Sequence, residues 1–297
     1  MKMLTTMVLV PSWPLVAAAL GVGLAVGILA ALLLSRIRKR RKAAPAQPMP
    51  LAVPLVGRLH AQGQRQSQQD CFSVSPEDLY PTHGLLAVVA DGMGGLENGD
   101  AVSQTAVSAV MNGFYAQPEE EPRHKLLRLL TEANRAVNRM LGPENLGGSG
   151  STLVLGLVQE ERFYFLSVGD SRICLFRDGS LFQLNREHNY RCRLELNAVN
   201  GEGTLEEAQS HPKAAGLTSY LGMGQLAYVD QPEDFVAIRP GDRFLLMSDG
   251  VYNALTVLEL EQYLSLPAQE AAEAIGKAVE EKAWPGQDNY TAVILQC

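Results

Sequence analysis

The feature that most constrains this 297-residue chain is an uninterrupted apolar run near its amino end. Residues 15–34 read LVAAALGVGLAVGILAALLL, twenty residues without a charged or strongly polar side chain. As a helix, twenty residues extend about 30 Å, which is the thickness of the hydrocarbon core of a bilayer. A helix of this length buried in a soluble domain normally shows a polar face, and this run has none. The sequence therefore predicts one transmembrane helix at residues 15–34.

The flanking charges predict the orientation of this helix. Residues 1–42 carry seven basic side chains and no acidic one, and six of the seven follow the run at residues 36–42. Because positive charge stays on the cytoplasmic side, residues 1–14 are expected outside the cytoplasm and the body inside, in a single-pass protein of the cell membrane. The alternative, a cleaved signal peptide, would carry its basic residues first and have a shorter apolar stretch. Gly23 and Gly27 also form a GxxxG pair, which arises easily by chance in such a span.

A proline-rich segment separates this anchor from the body of the chain. Residues 35–54 combine the basic cluster with four prolines and are expected to be a stop signal followed by a fairly stiff linker. Residues 55–297 contain no second linker or internal repeat, so one domain is expected there. The chain has 25 basic and 32 acidic side chains, and removing the seven basic ones of residues 1–42 leaves residues 43–297 with a charge of −14. Such an acidic body argues against a nucleic-acid partner.

The cysteines favour a reducing compartment. They form neither a CxxC pair nor a zinc-binding spacing, so free thiols in the cytoplasm are expected. The four are Cys71, Cys174, Cys192 and Cys297.

Hydrophobic patterning of the body predicts an α+β fold. Short β-rich apolar runs occur at residues 85–90, 152–158, 162–168, 172–176, 235–238, 243–247 and 290–295. Helical periodicity occurs at about residues 99–115, 123–141 and 268–284. Two helices after one strand, followed by consecutive strands with glycine-bearing turns, favour antiparallel sheets over βαβ units. The polar stretch at residues 189–228 is expected to be a partly structured excursion.

Four aspartates fall at the ends of these strand runs. Asp91, Asp170 and Asp249 follow runs, and Asp288 shortly precedes the last one. One such residue would be interpreted as a turn residue or a helix cap. Four are harder to dismiss, because a buried carboxylate costs free energy unless it is compensated. Four at one sheet edge, without His or Cys partners, suit the hard cations Mg²⁺ or Mn²⁺. Two such ions can activate a hydroxide towards phosphorus, and a nearby guanidinium can bind the phosphate.

Seven short motifs, taken in their order along the chain, resemble the motif series of a known protein family. They are RQSQQD at residues 65–70, DGMGG at 91–95, GST at 150–152, VGDSR at 168–172, LTSYLG at 217–222, PGDRFLLMSDG at 240–250 and QDN at 287–289. This series resembles the metal-dependent serine/threonine protein phosphatases of the PP2C (PPM) family, bacterial type. The resemblance implies a β-sandwich of two antiparallel sheets flanked by antiparallel helices, with the metal site at one end between the sheets.

The resemblance also implies an activity. Phosphoserine and phosphothreonine in proteins would be hydrolysed by direct attack of a metal-bound hydroxide, without a phospho-enzyme intermediate. Substrates would be cytoplasmic or close to the membrane and would include a membrane Ser/Thr kinase.

Roles follow by position in the motifs. Arg65 would bind the substrate phosphate, and Asp70 would orient metal-bound water. The site would hold two Mn²⁺ or Mg²⁺ ions and a third, weaker one. Asp91 would bridge the first two ions, and the carbonyl of Gly92 would help to bind one of them. Asp249 and Asp288 would complete the shell of the other, and Asp170 would bind the third ion.

Three positions depart from the family pattern. Gln68 stands where the motif usually has Asn. Met93 stands where many eukaryotic members have His. Bacterial members commonly have Met at this position. Residues 186–188 read REH where Asp-His is usual, which leaves the role of Glu187 and His188 open, with a core or surface histidine as the plain alternative.

Two other classes of function remain to be weighed. A pseudophosphatase that binds phosphoproteins at the membrane would have an incomplete metal shell, whereas this shell is complete in sequence. A nuclease or nucleotide cyclase built on the same carboxylates is opposed by the motif order, and a nuclease also by the acidic body.

Overall fold

The computed structural model describes residues 52–94, 98–117 and 119–297. The predicted segments 1–14 and 15–34, and nearly all of 35–54, lie outside these ranges, so the anchor and its topology stay predictions. In the described part of the chain, no helix is both long enough and apolar enough to cross a membrane.

Two antiparallel sheets form the framework. The strands of the described residues are β1 Leu55–Ala61, β2 Asp70–Val74, β3 Leu85–Gly94, β4 Ser149–Ser151, β5 Leu153–Gln159, β6 Arg162–Val168, β7 Arg172–Arg177, β8 Ser180–Gln183, β9 Val236–Ala237, β10 Arg243–Met247 and β11 Tyr290–Gln296. One sheet has the order β1-β11-β10-β7-β8 and the other β2-β3-β5-β6-β9, with β4 paired to the end of β3. All these strand pairs are antiparallel, as predicted.

Helices lie on the outer faces of the sheets or in the connections. Their bounds are α1 Tyr80–His83, α2 Gly99–Ala116, α3 Pro122–Leu141, α4 Tyr190–Val199, α5 Leu205–Ser210, α6 Asp249–Tyr252, α7 Val257–Tyr263 and α8 Ala268–Lys282. Short 3-10 turns occur at Glu77–Leu79 and Pro143–Asn145. The three predicted helices correspond to α2, α3 and α8, and the excursion at residues 189–228 contains α4 and α5.

The alternation of β3 shows how the layers are built. Its residues Leu85, Ala87 and Val89 face the other sheet, in the layer where Phe163 of β6 and Phe244 of β10 stack across the two sheets with ring centroids 3.8 Å apart. Because successive side chains of a strand point to opposite faces, the intervening residues pack instead against α2 and α3. On the other side, α8 covers β10 and β11. The result is a helix–sheet–sheet–helix sandwich, which confirms the predicted α+β class.

Strand register also determines where the site can form. Val168 at the end of β6 is paired with Leu153, and Met247 at the end of β10 is paired with Ala292 near the start of β11. Asp70, the first residue of β2, pairs with Asp91. These strand ends therefore meet at one end of the sandwich.

Candidate active site

The structure brings the predicted acidic residues to that end. Asp70 lies directly opposite Asp91 in the β2–β3 pair. Asp170 lies in the turn between β6 and β7, Asp249 begins α6 immediately beyond β10, and Asp288 lies just before β11. The charges of the other four aspartates all act on the carboxyl group of Asp91. Residues spread over more than 200 positions of sequence thus form one electrostatic cluster.

Burial and mutual repulsion raise the pKa values in this cluster. Burial first, and then the neighbouring aspartates, raise the pKa of Asp91 well above its ordinary value. Burial followed by the charges of Asp249 and Glu187 raises the pKa of Asp170 to about 7. Burial is also the largest cause that raises the pKa values of Asp70 and Asp249 to about 6. A cluster of this kind is stabilised by bound positive charge.

Asp70 is the most enclosed of these residues, with 5% of its surface exposed. Its Oδ2 accepts a hydrogen bond of 2.7 Å from Ser248 Oγ, which in turn accepts one of 3.0 Å from Thr291 N. Its Oδ1 is buried without a hydrogen-bond partner. Gln68, the residue that departs from the family motif, accepts a bond of 3.0 Å from the Asp70 amide. A buried carboxylate oxygen without a partner fits an oxygen-binding cation or its water.

Arg65 lies at the mouth of the cluster. Its Nη2 donates to Oδ2 of Asp288 over 2.6 Å, and the Arg65 side chain is 53% exposed. The structure therefore places the predicted phosphate ligand beside the carboxylates, paired with one of them and open to solvent.

The backbone of β3 is fixed where it presents its carboxylate. Thr152 N donates to Asp91 O over 2.9 Å, and the Asp91 amide donates to Thr152 Oγ1 over 3.0 Å. A side chain at Gly92 would collide with the backbone of Gly99 and Gln69. Only glycine fits this close approach, so the spacing of β3 from the start of α2 requires glycine at residue 92, directly after Asp91.

The Glu187–His188 pair supports the turn that carries Asp170. His188 is buried, and its Nδ1 accepts a bond of 3.2 Å from the Gly169 amide, while its own amide donates to Gly169 O over 2.8 Å. Burial lowers the pKa of His188, so the ring stays neutral at pH 7. Glu187 binds Arg172 over 2.7 Å. In this structure His188 is a buried structural histidine, which agrees with the plainer of the two expectations.

Met93 and the excursion line a cleft beside the cluster. The cleft is bounded by Met93, by the glycine-rich segment at residues 147–150, and by Leu217 and Tyr220. The thioether of Met93 has no proton to donate, so this residue cannot act as a general acid.

The donor set of the cluster consists of oxygen atoms, which suits Mg²⁺ or Mn²⁺. Within the described residues, no three His, Cys, Asp or Glu side chains already close around one point as a cation cage. Asp288 instead binds Arg65, and Asp70 binds Ser248. The assignment of Asp91, Gly92, Asp170, Asp249 and Asp288 as metal ligands therefore stays a prediction, supported by charge and by the unpartnered Asp70 oxygen.

Several supporting residues were not singled out from the sequence. Ser248 and Asn289 lie inside the quoted motifs, but their bonding partners are about 180 to 230 residues away. Thr291, whose amide binds Ser248 Oγ, lies in an apolar run that gave no signal beyond strand formation. The only available signal was proximity to the strand-end aspartates.

Comparison with known proteins gives one consistent result. Residues 56–281 match the family described as Protein phosphatase 2C. The serine/threonine protein phosphatase PstP of Mycobacterium tuberculosis is 30% identical over 235 residues, which cover 77% of this chain and 43% of PstP. The chain thus matches less than half the length of that relative. The serine/threonine phosphatase stp of Listeria monocytogenes is 29% identical over 216 residues, which cover 71% of this chain and 84% of that protein.

Solved structures agree with the fold. The crystal structure of the M. tuberculosis phosphatase PstP/Ppp covers 82% of this chain and 98% of its own, with a TM-score of 0.68 and 27% identity. The PstP catalytic domain in complex with two manganese ions covers the same shares, with a TM-score of 0.66 and 26% identity.

Proposed function

Because this chain belongs to the protein phosphatase 2C family, we propose that it hydrolyses phosphoserine and phosphothreonine in proteins with the help of Mn²⁺ or Mg²⁺. The observation that carries the proposal is the convergence of Asp70, Asp91, Asp170 and Asp249 at one end of the sandwich, beside the Arg65–Asp288 pair. PstP and stp, which are similar over most of this chain, are named as serine/threonine phosphatases.

The residues divide the work by chemistry. The planar guanidinium of Arg65 can donate two parallel hydrogen bonds to a phosphate, and its exposure leaves it accessible to a protein substrate. Asp91, Gly92, Asp249 and Asp288 would hold two cations, and Asp170 a third. When bound, such cations supply an activated water and neutralise charge on the phosphate. Asp70, held by Ser248, keeps one carboxylate oxygen available to orient a nucleophilic water.

Phosphate release by the full chain in detergent tests this function. A phosphothreonine and a phosphoserine peptide are expected to be hydrolysed with Mn²⁺, and a phosphotyrosine peptide much more slowly. EDTA and the Asp249→Asn substitution should each remove most of the activity. Asp178→Asn is the matched control, because Asp178 lies exposed in the β7–β8 turn. Turnover without metal, or no turnover of any phosphopeptide, contradicts the proposal. Phosphopeptide binding without release indicates the pseudophosphatase instead.

We also propose that residues 15–34 anchor this activity at the cell membrane, with the phosphatase domain in the cytoplasm and substrates that include a membrane Ser/Thr kinase. The uncharged twenty-residue run and the basic cluster that follows it support this topology. A reporter fused after Cys297 is expected to behave as cytoplasmic in cells, and an extracytoplasmic signal contradicts the orientation.

A further inference from the structure

We propose that Asn289 is a positioning residue that holds the loop of residues 62–69, and with it Arg65, against the carboxylate cluster. The proposal rests on the phosphatase function proposed above. Arg65 lies in this loop between β1 and β2, without regular secondary structure, and its side chain is more than half exposed. A long side chain on an unsupported loop would lose much of its value as a phosphate ligand, because orientation accounts for a large part of catalysis.

The Asn289 side chain binds the loop at three backbone groups. Its Oδ1 accepts from Gln69 N over 2.8 Å, and its Nδ2 donates to Gln62 O over 2.8 Å and to Ser67 O over 3.0 Å. The residue is 4% exposed. One buried amide therefore spans both ends of the loop and uses its donors and its acceptor together.

Neighbouring hydrogen bonds also hold the loop of residues 62–69. Gln64 N donates to Gln287 O over 2.8 Å. On the other side, Gln69 O accepts from Gly92 N over 3.1 Å and from Ser103 Oγ over 2.6 Å. The loop is thus held between the segment that precedes β11 and the end of β3.

Two consecutive residues then fix both parts of Arg65. Asn289 holds the backbone of its loop, while Asp288 binds the guanidinium. Asp288 itself is oriented by the backbone N–H of Asn289, which donates to Asp288 Oδ1 over 2.8 Å. Asparagine is required because alanine would remove all three side-chain bonds to the loop backbone, and aspartate has no N–H to donate.

A double-mutant cycle tests whether Asn289 acts through Arg65. We expect Arg65→Ala and Asn289→Ala each to lower kcat/KM on the phosphothreonine peptide by about 10- to 100-fold, and inhibition by inorganic phosphate to weaken in both. The double variant should lose no more than about threefold beyond Arg65→Ala, since residues that act as one unit are not additive. Losses that multiply would overturn the proposal. If Asn289→Ala does not fold, Asn289→Ser replaces it in the same cycle.

Hydrogen exchange of the full chain in EDTA gives a readout that does not depend on activity. Amides of residues 62–69 should exchange faster in the Asn289 variant, while those of β10 stay protected. Asn138→Ala is the matched control, because Asn138 also donates a side-chain amide to a loop carbonyl, that of Gly224, over 2.9 Å. It should leave residues 62–69 unchanged. Unchanged protection in the Asn289 variant refutes the proposal, whereas an inactive wild-type chain refutes only the proposed function.

Discussion

Asp70 and Asp91 lie directly opposite each other in the antiparallel pair of β2 and β3. Like charges at directly opposed cross-strand positions repel each other, and burial removes the water that would screen them. Asp170 and Asp249 add to the same cluster. Without bound cations, the ionised site opposes folding, and this has measurable consequences.

The first prediction concerns pH. Folding raises the pKa of Asp70 and Asp249 to about 6 and that of Asp170 to about 7, from an ordinary value of 3.8. At pH values between the ordinary pKa and these raised pKa values, the folded state binds more protons than the unfolded state. The free energy of unfolding therefore falls as pH rises through this range. In EDTA, the melting temperature of the full chain should be higher near pH 5 than at pH 7.5. Thermal unfolding at half-unit steps of pH measures this.

Mn²⁺ provides the control for the pH dependence. Millimolar Mn²⁺ should raise the melting temperature most at pH 7.5, where the carboxylates are ionised, and least near pH 5. A melting temperature in EDTA that rises from pH 5 to 7.5, or no effect of Mn²⁺ at either pH, would contradict the interpretation of the cluster.

The second prediction separates activity from stability at Asp91. Asp91→Asn removes a carboxyl group whose ionisation is opposed by burial and by four neighbouring aspartates, so the EDTA-treated protein should become more stable at pH 7.5. A gain on the order of 1 kcal/mol corresponds to about 2–4 °C in Tm for a domain of this size. Phosphatase activity should be largely lost. Thermal unfolding in EDTA and peptide assays in Mn²⁺ measure the two effects, and Asp178→Asn should change neither. A less stable variant in EDTA would argue against repulsion as the dominant force at this site.

The strongest sequence patterns predicted the framework, but some of the edge strands escaped them. The segments at residues 85–90, 163–166 and 244–247 are buried on both faces between a helix layer and the other sheet, so they are apolar throughout. In contrast, among the strands that the structure describes, β1 reads LVGRLHA and pairs only with β11, and β8 reads SLFQ and pairs only with β7. Neither segment alternates regularly between apolar and polar residues, so neither was recognised as a strand from the sequence.

For the site, the positions of the acids were predictable and their contacts were not. Each strand-end aspartate stands beside an apolar run, which is visible along the chain. The bond from Ser248 to Asp70 joins residues 178 positions apart, and a hydroxyl in a strand end carries no pattern that identifies its acceptor. The Arg65–Asp288 pair likewise depends on how the two sheets face each other.

The third prediction tests the contact between the sheets. Phe244 is fully buried, and its ring stacks on Phe163 with centroids 3.8 Å apart. Phe244→Ala should lower the free energy of unfolding by about 3–5 kcal/mol, because it removes buried apolar surface and leaves a cavity. Urea unfolding measures the loss. Phe182→Ala, at an exposed position of β8, should cost less than about 1 kcal/mol. Equal costs for the two variants would show that the stacked pair is not part of a well-packed core.

The fourth prediction concerns the competition between Arg65 and a cation for Asp288. Because the guanidinium binds Asp288 Oδ2 over 2.6 Å, a cation that uses this carboxylate must share or displace the contact. Arg65→Ala should therefore bind Mn²⁺ at least as tightly as the wild type, as measured by calorimetry, while its kcat/KM falls by about 10- to 100-fold.

Arg65→Lys keeps the positive charge but not the planar fork, so it should recover only part of the lost activity. Arg58→Ala, at an exposed position of β1, is the control and should leave both quantities unchanged. Weaker Mn²⁺ binding in Arg65→Ala would mean that the arginine supports the metal shell through Asp288 rather than competing for it. Its main role would then be to hold a ligand, and phosphate recognition would have to come from another group at the mouth of the cluster.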